Sequence, residues 1–220
     1  MQIPIKTETI EFNGWTMRVR PASMDHPRLL LMIHGWTGDE NSMWVFARKF
    51  SAENYWIIAP RAPHPADPQG FSWRPHLVKT FGRPSLEMLL PSAEALIRLV
   101  DEYSASVKIE ADQFDVIGFS QGGAMVNVLG MVFPNRIRKM GVLAGFVPSG
   151  LDAYIEKRAL DGKKIFVAHG TQDELVTIDR ARASMELLER AGGAITYCEA
   201  EVGHKLSSDC LRALEEYLAD

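Results

Sequence analysis

Cysteine is scarce in this chain, with only Cys198 and Cys210 among 220 residues. Two are too few for a disulfide-stapled scaffold, and neither sits in a pair with metal-ligand spacing. Both are therefore expected as thiols packed in a core or on a helix face. Long apolar runs are missing as well: no stretch approaches the ~20 residues a membrane span needs. The segment from Met1 to Phe12 mixes Lys6, Glu8 and Glu11 with isolated apolar residues, unlike the continuous apolar stretch of a secretion signal. Positive charge is not in excess either. A formal net charge of -4 offers no broad basic field to nucleic acid or to an anionic membrane surface. These absences set the expectation of a cytoplasmic protein with no nucleic-acid partner and no integral membrane association, its oligomeric state left open.

What is present is ordinary globular material, 46% hydrophobic and 24% charged, enough for one full core and read as a single domain over 1–220. Short apolar runs alternate with longer helical patterns. That rhythm predicts an α/β fold: a mostly parallel sheet with helices on both faces. Strands are expected at 28–33, 55–59, 114–119, 140–144, 164–168 and 195–199. Two earlier segments, 7–12 and 16–20, flank Asn13-Gly14, a pair that tolerates positive φ and predicts an antiparallel hairpin at the sheet edge. Helical spacing marks 42–51, 85–103, 121–133, 178–191 and 205–218. One stretch breaks the pattern: Pro60, Pro63, Pro65, Pro68, Pro75 and Pro84 fall within 60–84, together with Phe71, Trp73 and Phe81. An irregular excursion of that length in a compact domain points to function.

Gly118-Phe119-Ser120-Gln121-Gly122 is a weak signal as a five-residue pattern, but its setting strengthens it. An apolar strand leads into it and a helical pattern leaves it, the strand-turn-helix context in which a nucleophilic serine is presented. Glycine on either side leaves room for the strand and helix to pack closely. The amide of Gln121 then lies at a helix N-terminus, facing where an oxyanion would form.

A serine hydroxyl needs a base to accept its proton, and the base needs an acid to orient it. In this setting the chain order is serine, acid, histidine. Asp173 follows the 164–168 strand, with Glu174 and Asp179 as rivals, and His204 follows the 195–199 strand. Both are expected at the carboxyl edge of the sheet, where open α/β sheets build their sites. His169 abuts a strand end and reads as a structural residue of the acid loop. A second oxyanion donor is expected from the loop after 28–33, where the amide of Trp36 is the candidate. Phe71, Trp73 and Phe146 are the candidates to line an apolar substrate pocket. No metal or organic cofactor is called for.

These residues resemble the phospholipase/carboxylesterase family of α/β hydrolases. The resemblance rests on Ile33-His34-Gly35, on 118–125, on His169-Gly170 with Asp173 and Val176, and on Gly203-His204 before an apolar-patterned helix. It implies a single-domain α/β-hydrolase fold and a serine carboxylesterase acting on small to medium esters, thioesters or lysophospholipids. It assigns Ser120, Asp173 and His204 to a catalytic triad, and the amides of Trp36 and Gln121 to the oxyanion hole. Two departures stand out. Trp36-Thr37-Gly38-Asp39 replaces a shorter, smaller loop, and Phe71-Ser72-Trp73-Arg74-Pro75 stands where the family has Trp followed by an aromatic residue and Asp. Amide cleavage by the same residues, or ligand binding without chemistry on the same scaffold, are the alternative readings.

Overall fold

Alternation along the strands decides the layering. In β3 (Arg28–Ile33), Leu29, Leu31 and Ile33 enter one buried cluster while Leu30 and Met32 enter another, because successive side chains point to opposite faces. A strand buried on both faces must lie inside a sheet covered by helices on each side. The computed structural model, which describes residues 7–75 and 84–220, shows this arrangement. His76 and Phe81 of the proline-rich excursion, like the first residues of the chain, lie outside the described residues.

The remaining long strands are β1 (Glu8–Phe12), β2 (Trp15–Arg20), β4 (Tyr55–Pro60), β7 (Phe114–Phe119), β8 (Ile137–Leu143), β9 (Lys164–Gly170) and β10 (Ala194–Ala200). They join β3 in an eight-stranded sheet of order β1-β2-β4-β3-β7-β8-β9-β10. The pairs β1–β2 and β2–β4 are antiparallel and the rest are parallel. Asn13 and Gly14 turn the edge hairpin with φ of 46° and 82°, the positive values that this dipeptide accommodates. Within the excursion, β5 (His64–Pro65) and β6 (Phe71–Ser72) form a small hairpin of their own, which the proline content hides from sequence.

Helices α2 (Leu86–Val107), α3 (Gln121–Val132), α4 (Asp152–Glu156) and α5 (Ile178–Arg190) contribute to one apolar layer. Helices α1 (Trp44–Ala47) and α6 (Ser208–Ala219) contribute to the other. Helix α3 is buried almost all round, since it packs on β7 and β8 and carries Gly122 and Gly123 where neighbouring backbone comes close. Among the described residues no helix is long and apolar enough to cross a membrane.

The structure corrects one expectation outright. Cys198 and Cys210 are not free thiols but a disulfide that joins β10 to α6, with Cα atoms 5.5 Å apart. They are 12 positions apart in sequence. Only the return of α6 along the outer strand brings them into bonding range.

Candidate active site

The serine elbow is built by close packing. A Cβ on Gly118 would fall 2.2 Å from the carbonyl oxygen of Gly122, and one on Gly122 would fall 2.1 Å from that of Ile33. Neither position admits a side chain without moving backbone. Ser120 itself holds φ 55° and ψ -114°, a strained conformation for a residue with a Cβ. Its amide donates to the carbonyl of Leu143 at 2.9 Å, and its carbonyl accepts from the amide of Ala124. The turn is therefore held from both sides and leaves the serine side chain half-buried at the carboxyl end of β7. Gln121 is the first residue of α3, so its amide has no acceptor within the helix.

Two other loops come to the same edge. Asp173 is buried in the loop after β9, where its Oδ1 accepts from the amides of Leu175 and Val176, each at 2.9 Å. Its Oδ2 accepts from Nδ1 of His204 at 2.7 Å. Glu174 and Asp179, the rival acids, are exposed. His204 lies in the loop after β10 with its side chain 18% exposed, and its ring packs 4.9 Å from that of Phe119, the residue before Ser120. A bond from Nδ1 to a carboxylate fixes the tautomer and leaves Nε2 with its lone pair. The loop itself rides on β9: a Cβ on Gly170 would lie 2.2 Å from the carbonyl oxygen of Val202. His169 plays the structural part expected of it, buried with Nε2 on the carbonyl of Val176 at 2.7 Å.

The loop after β3 is the third wall. A Cβ on Gly35 would meet the Ser120 Cβ at 3.3 Å, which sets how closely this loop lies against the elbow. Trp36 is half-buried there and Thr37 turns the chain with φ 66°. The excursion is stitched to this loop: Thr37 N–H donates to the carbonyl of Phe71, and Phe71 N–H to that of Gly38, at 3.0 and 2.9 Å. Of the three aromatic candidates, Phe71 is half-buried beside Arg61. Phe146 is 4% exposed under the guanidinium of Arg180, whose carbon lies 3.6 Å from the ring centroid. Trp73 is fully buried, and its indole N–H donates to the carbonyl of His34 at 2.8 Å. Trp73 thus supports the wall from behind. Past Phe146, a recess of about 360 Å³ is lined by Val147, Pro148, Leu151, Ile155, Leu187 and Arg180.

Two contributions escape sequence reasoning. The side chain of Gln121, read there only for its amide, is buried and accepts from the backbone N–H of Trp73 at 2.9 Å while also bonding Ser72. The ring of His34 is buried with Nε2 accepting from Ala62 N–H at 3.0 Å, so Nδ1 carries the proton and donates to the carbonyl of Gly35 at 2.7 Å. Burial pushes this imidazole below its ordinary value of 6.5. Nothing in the order of residues signals either role. Among the described residues no group of three or more His, Cys, Asp or Glu is arranged as metal ligands would be.

A mostly parallel eight-stranded sheet with a strained serine elbow at its carboxyl edge, beside a histidine bonded to an acid, defines an α/β hydrolase. Solved structures agree on the fold. The carboxylesterase from Mesorhizobium loti superposes with a TM-score of 0.81 at 20% identity, covering 97% of this chain and 98% of that one. The Bacillus cereus carboxylesterase gives 0.80 at 19% identity, with 94% of each chain covered. The chain belongs to the phospholipase/carboxylesterase family, whose model matches residues 16–220, and is a hydrolase of ester or thioester bonds. Among curated relatives, it is similar to a probable carboxylesterase SOBER1-like protein of Arabidopsis thaliana, 27% identical over 86% of this chain and 77% of that protein. It is also similar to acyl-protein thioesterase 1 of Yarrowia lipolytica, 26% identical over 76% of this chain and 79% of that protein.

Proposed function

We propose that this protein is a serine carboxylesterase that cleaves small to medium carboxylic esters through an acyl-enzyme on Ser120. The observation that carries the reading is the 2.7 Å bond from His204 to Asp173, two residues from separate loops, with the imidazole ring 4.9 Å from that of Phe119 in the elbow. His204 Nε2 takes the Ser120 proton as Oγ attacks the ester carbonyl, and Asp173 stabilises the imidazolium. The amides of Trp36 and Gln121 bind the oxyanion, each contributing about 3 kcal/mol to the transition state. The alcohol leaves with the proton held by His204. Water, deprotonated by the same nitrogen, then releases the acid. Phe71 and Phe146 are assigned to the apolar lining of the substrate site. No cofactor takes part in this scheme, and the substrate is a small molecule.

Labelling with a fluorophosphonate, absent in Ser120→Ala, tests the nucleophile. Parallel turnover of a nitrophenyl ester series and an aminoacyl anilide tests the substrate class. Labelled wild type that cleaves short and medium esters supports the proposal. Turnover of the anilide alone would reassign it to amides, and a wild type that neither labels nor turns over would make it a binding protein.

A further inference from the structure

The disulfide encloses the histidine. Strand β10 ends at Ala200, α6 begins at Ser208, and the connection carries His204; Cys198 and Cys210 stand on either side and close that connection at its base. The other ties of the loop are unevenly spread. Its first half is bonded to the neighbouring acid loop, with Thr171 N–H on the carbonyl of Ala200 at 2.9 Å and Gln172 N–H on that of Val202 at 3.0 Å. Beyond His204, the hydrogen bonds are local: Lys205 N–H to the carbonyl of Gly203, and the Ser207 hydroxyl accepting from Cys210 N–H at 3.1 Å. What fastens this second half to the sheet is Leu206 seated against the apolar layer, the packing of α6 and the covalent bond at Cys210.

We propose that the Cys198–Cys210 disulfide is a positioning device for His204 and that its thiol–disulfide state sets the turnover of the enzyme. The inference rests on the hydrolytic reading above. With the bond closed, the first turn of α6 is pinned to β10 and the imidazole is held between Asp173 and Phe119. Opening it transfers two electrons and two protons from a dithiol: the S–S bond breaks, both cysteines become thiols, and the reductant leaves as its own cyclic disulfide. Of the two residues, Cys198 on the outer strand is half-buried and Cys210 is 1% exposed. Disulfides are reduced in cytosol and persist in oxidising compartments, so the same chain would work at two rates in the two surroundings.

The effect expected is on the chemical step. Misplacing a catalytic group by a fraction of an ångström to 1 Å costs up to ~10²-fold, so a loop loosened at one end should lose about tenfold in kcat. Nitrophenyl ester kinetics, fluorophosphonate labelling rate, thermal unfolding and thiol titration are followed on the oxidised enzyme, the enzyme reduced with dithiothreitol, and the reoxidised enzyme. The Cys198→Ala/Cys210→Ala variant is measured beside them. The expected result is a kcat and a labelling rate that fall together on reduction, with KM nearly unchanged and recovery on reoxidation. The double variant should be slow and indifferent to dithiothreitol.

Unchanged kcat in protein shown to carry two free thiols would overturn the proposal. So would a loss of rate that only tracks the fraction unfolded at the assay temperature. A bond that stays closed under dithiothreitol overturns the thiol control, and the double variant then decides the positioning role alone. Failure of the oxidised wild type to label at all would refute the hydrolytic reading itself, an outcome distinct from each of these.

Discussion

Removing the side-chain amide of Gln121 should loosen the active site while keeping the residue's backbone N–H, the proposed oxyanion donor, in the chain. Its oxygen is the acceptor for the Trp73 backbone N–H, and Trp73 is fully buried, so Gln121→Ala strands a buried donor. An unsatisfied buried donor costs about 1–3 kcal/mol. In a chain of this size that corresponds to a fall in Tm of roughly 2–4 °C per kcal/mol. The consequence for rate follows the hydrogen bonds outward. Trp73 holds the His34 carbonyl, and Phe71 is bonded to Thr37 and Gly38, so the strip 71–73 braces the loop that carries the Trp36 amide. Complete loss of one oxyanion donor costs about 2.7–4 kcal/mol, and a loosened donor should cost a fraction of that, about tenfold in kcat. Gln121→Met, similar in volume but without the acceptor, separates packing from hydrogen bonding. It should behave like the alanine variant. Thermal unfolding and ester kinetics decide the matter: if both variants keep the wild-type Tm and kcat, the brace has no role.

Two further outcomes are expected. Asp173→Asn should leave the fold intact, since its oxygen can still accept from the amides of Leu175 and Val176. Its NH2 would then face His204 Nδ1 and force the proton onto Nε2, lowering kcat about 10⁴-fold; a loss below tenfold would remove the role given to this bond. Acid should destabilise the protein through His34. Its folded value is depressed, so below the ordinary 6.5 the unfolded chain binds the extra proton first, and stability falls with pH by up to about 1.4 kcal/mol per unit until the folded value is passed. The His34→Gln variant, which cannot titrate, should show a flatter dependence of Tm between pH 7 and 5. An identical slope in wild type and variant would refute the assignment.

Much of the fold was written locally. Short apolar runs marked the strands, the 3.6-residue spacing marked the long helices, and Asn13-Gly14 marked the hairpin, because each signal acts within a few residues. Boundaries blurred where tertiary partners overrode local character. Strand β8 begins at Ile137, earlier than its apolar run, since Arg138 pairs with buried Asp115 and Lys139 donates to the carbonyl of Tyr217. Those partners let charged residues enter a strand. Helix α1 covers only Trp44–Ala47 of the 42–51 pattern, because Asp39, Asn41 and Ser42 form a hydrogen-bonded turn before it and three-residue turns replace the helix after it.

For the site, the order Ser120, Asp173, His204 was legible because each sits next to a strand end, and strand ends converge once the sheet is parallel. What binds that edge together was not legible. The disulfide at Cys198 and Cys210, the Gln121 clamp on Trp73 and the neutral ring of His34 join residues from different elements, and their partners are chosen by the packing of helix on sheet. The order of residues by itself determined the elements and the side chains brought to the edge. Only the tertiary structure decided what holds those groups in place, because that depends on distances across the chain that no local pattern encodes.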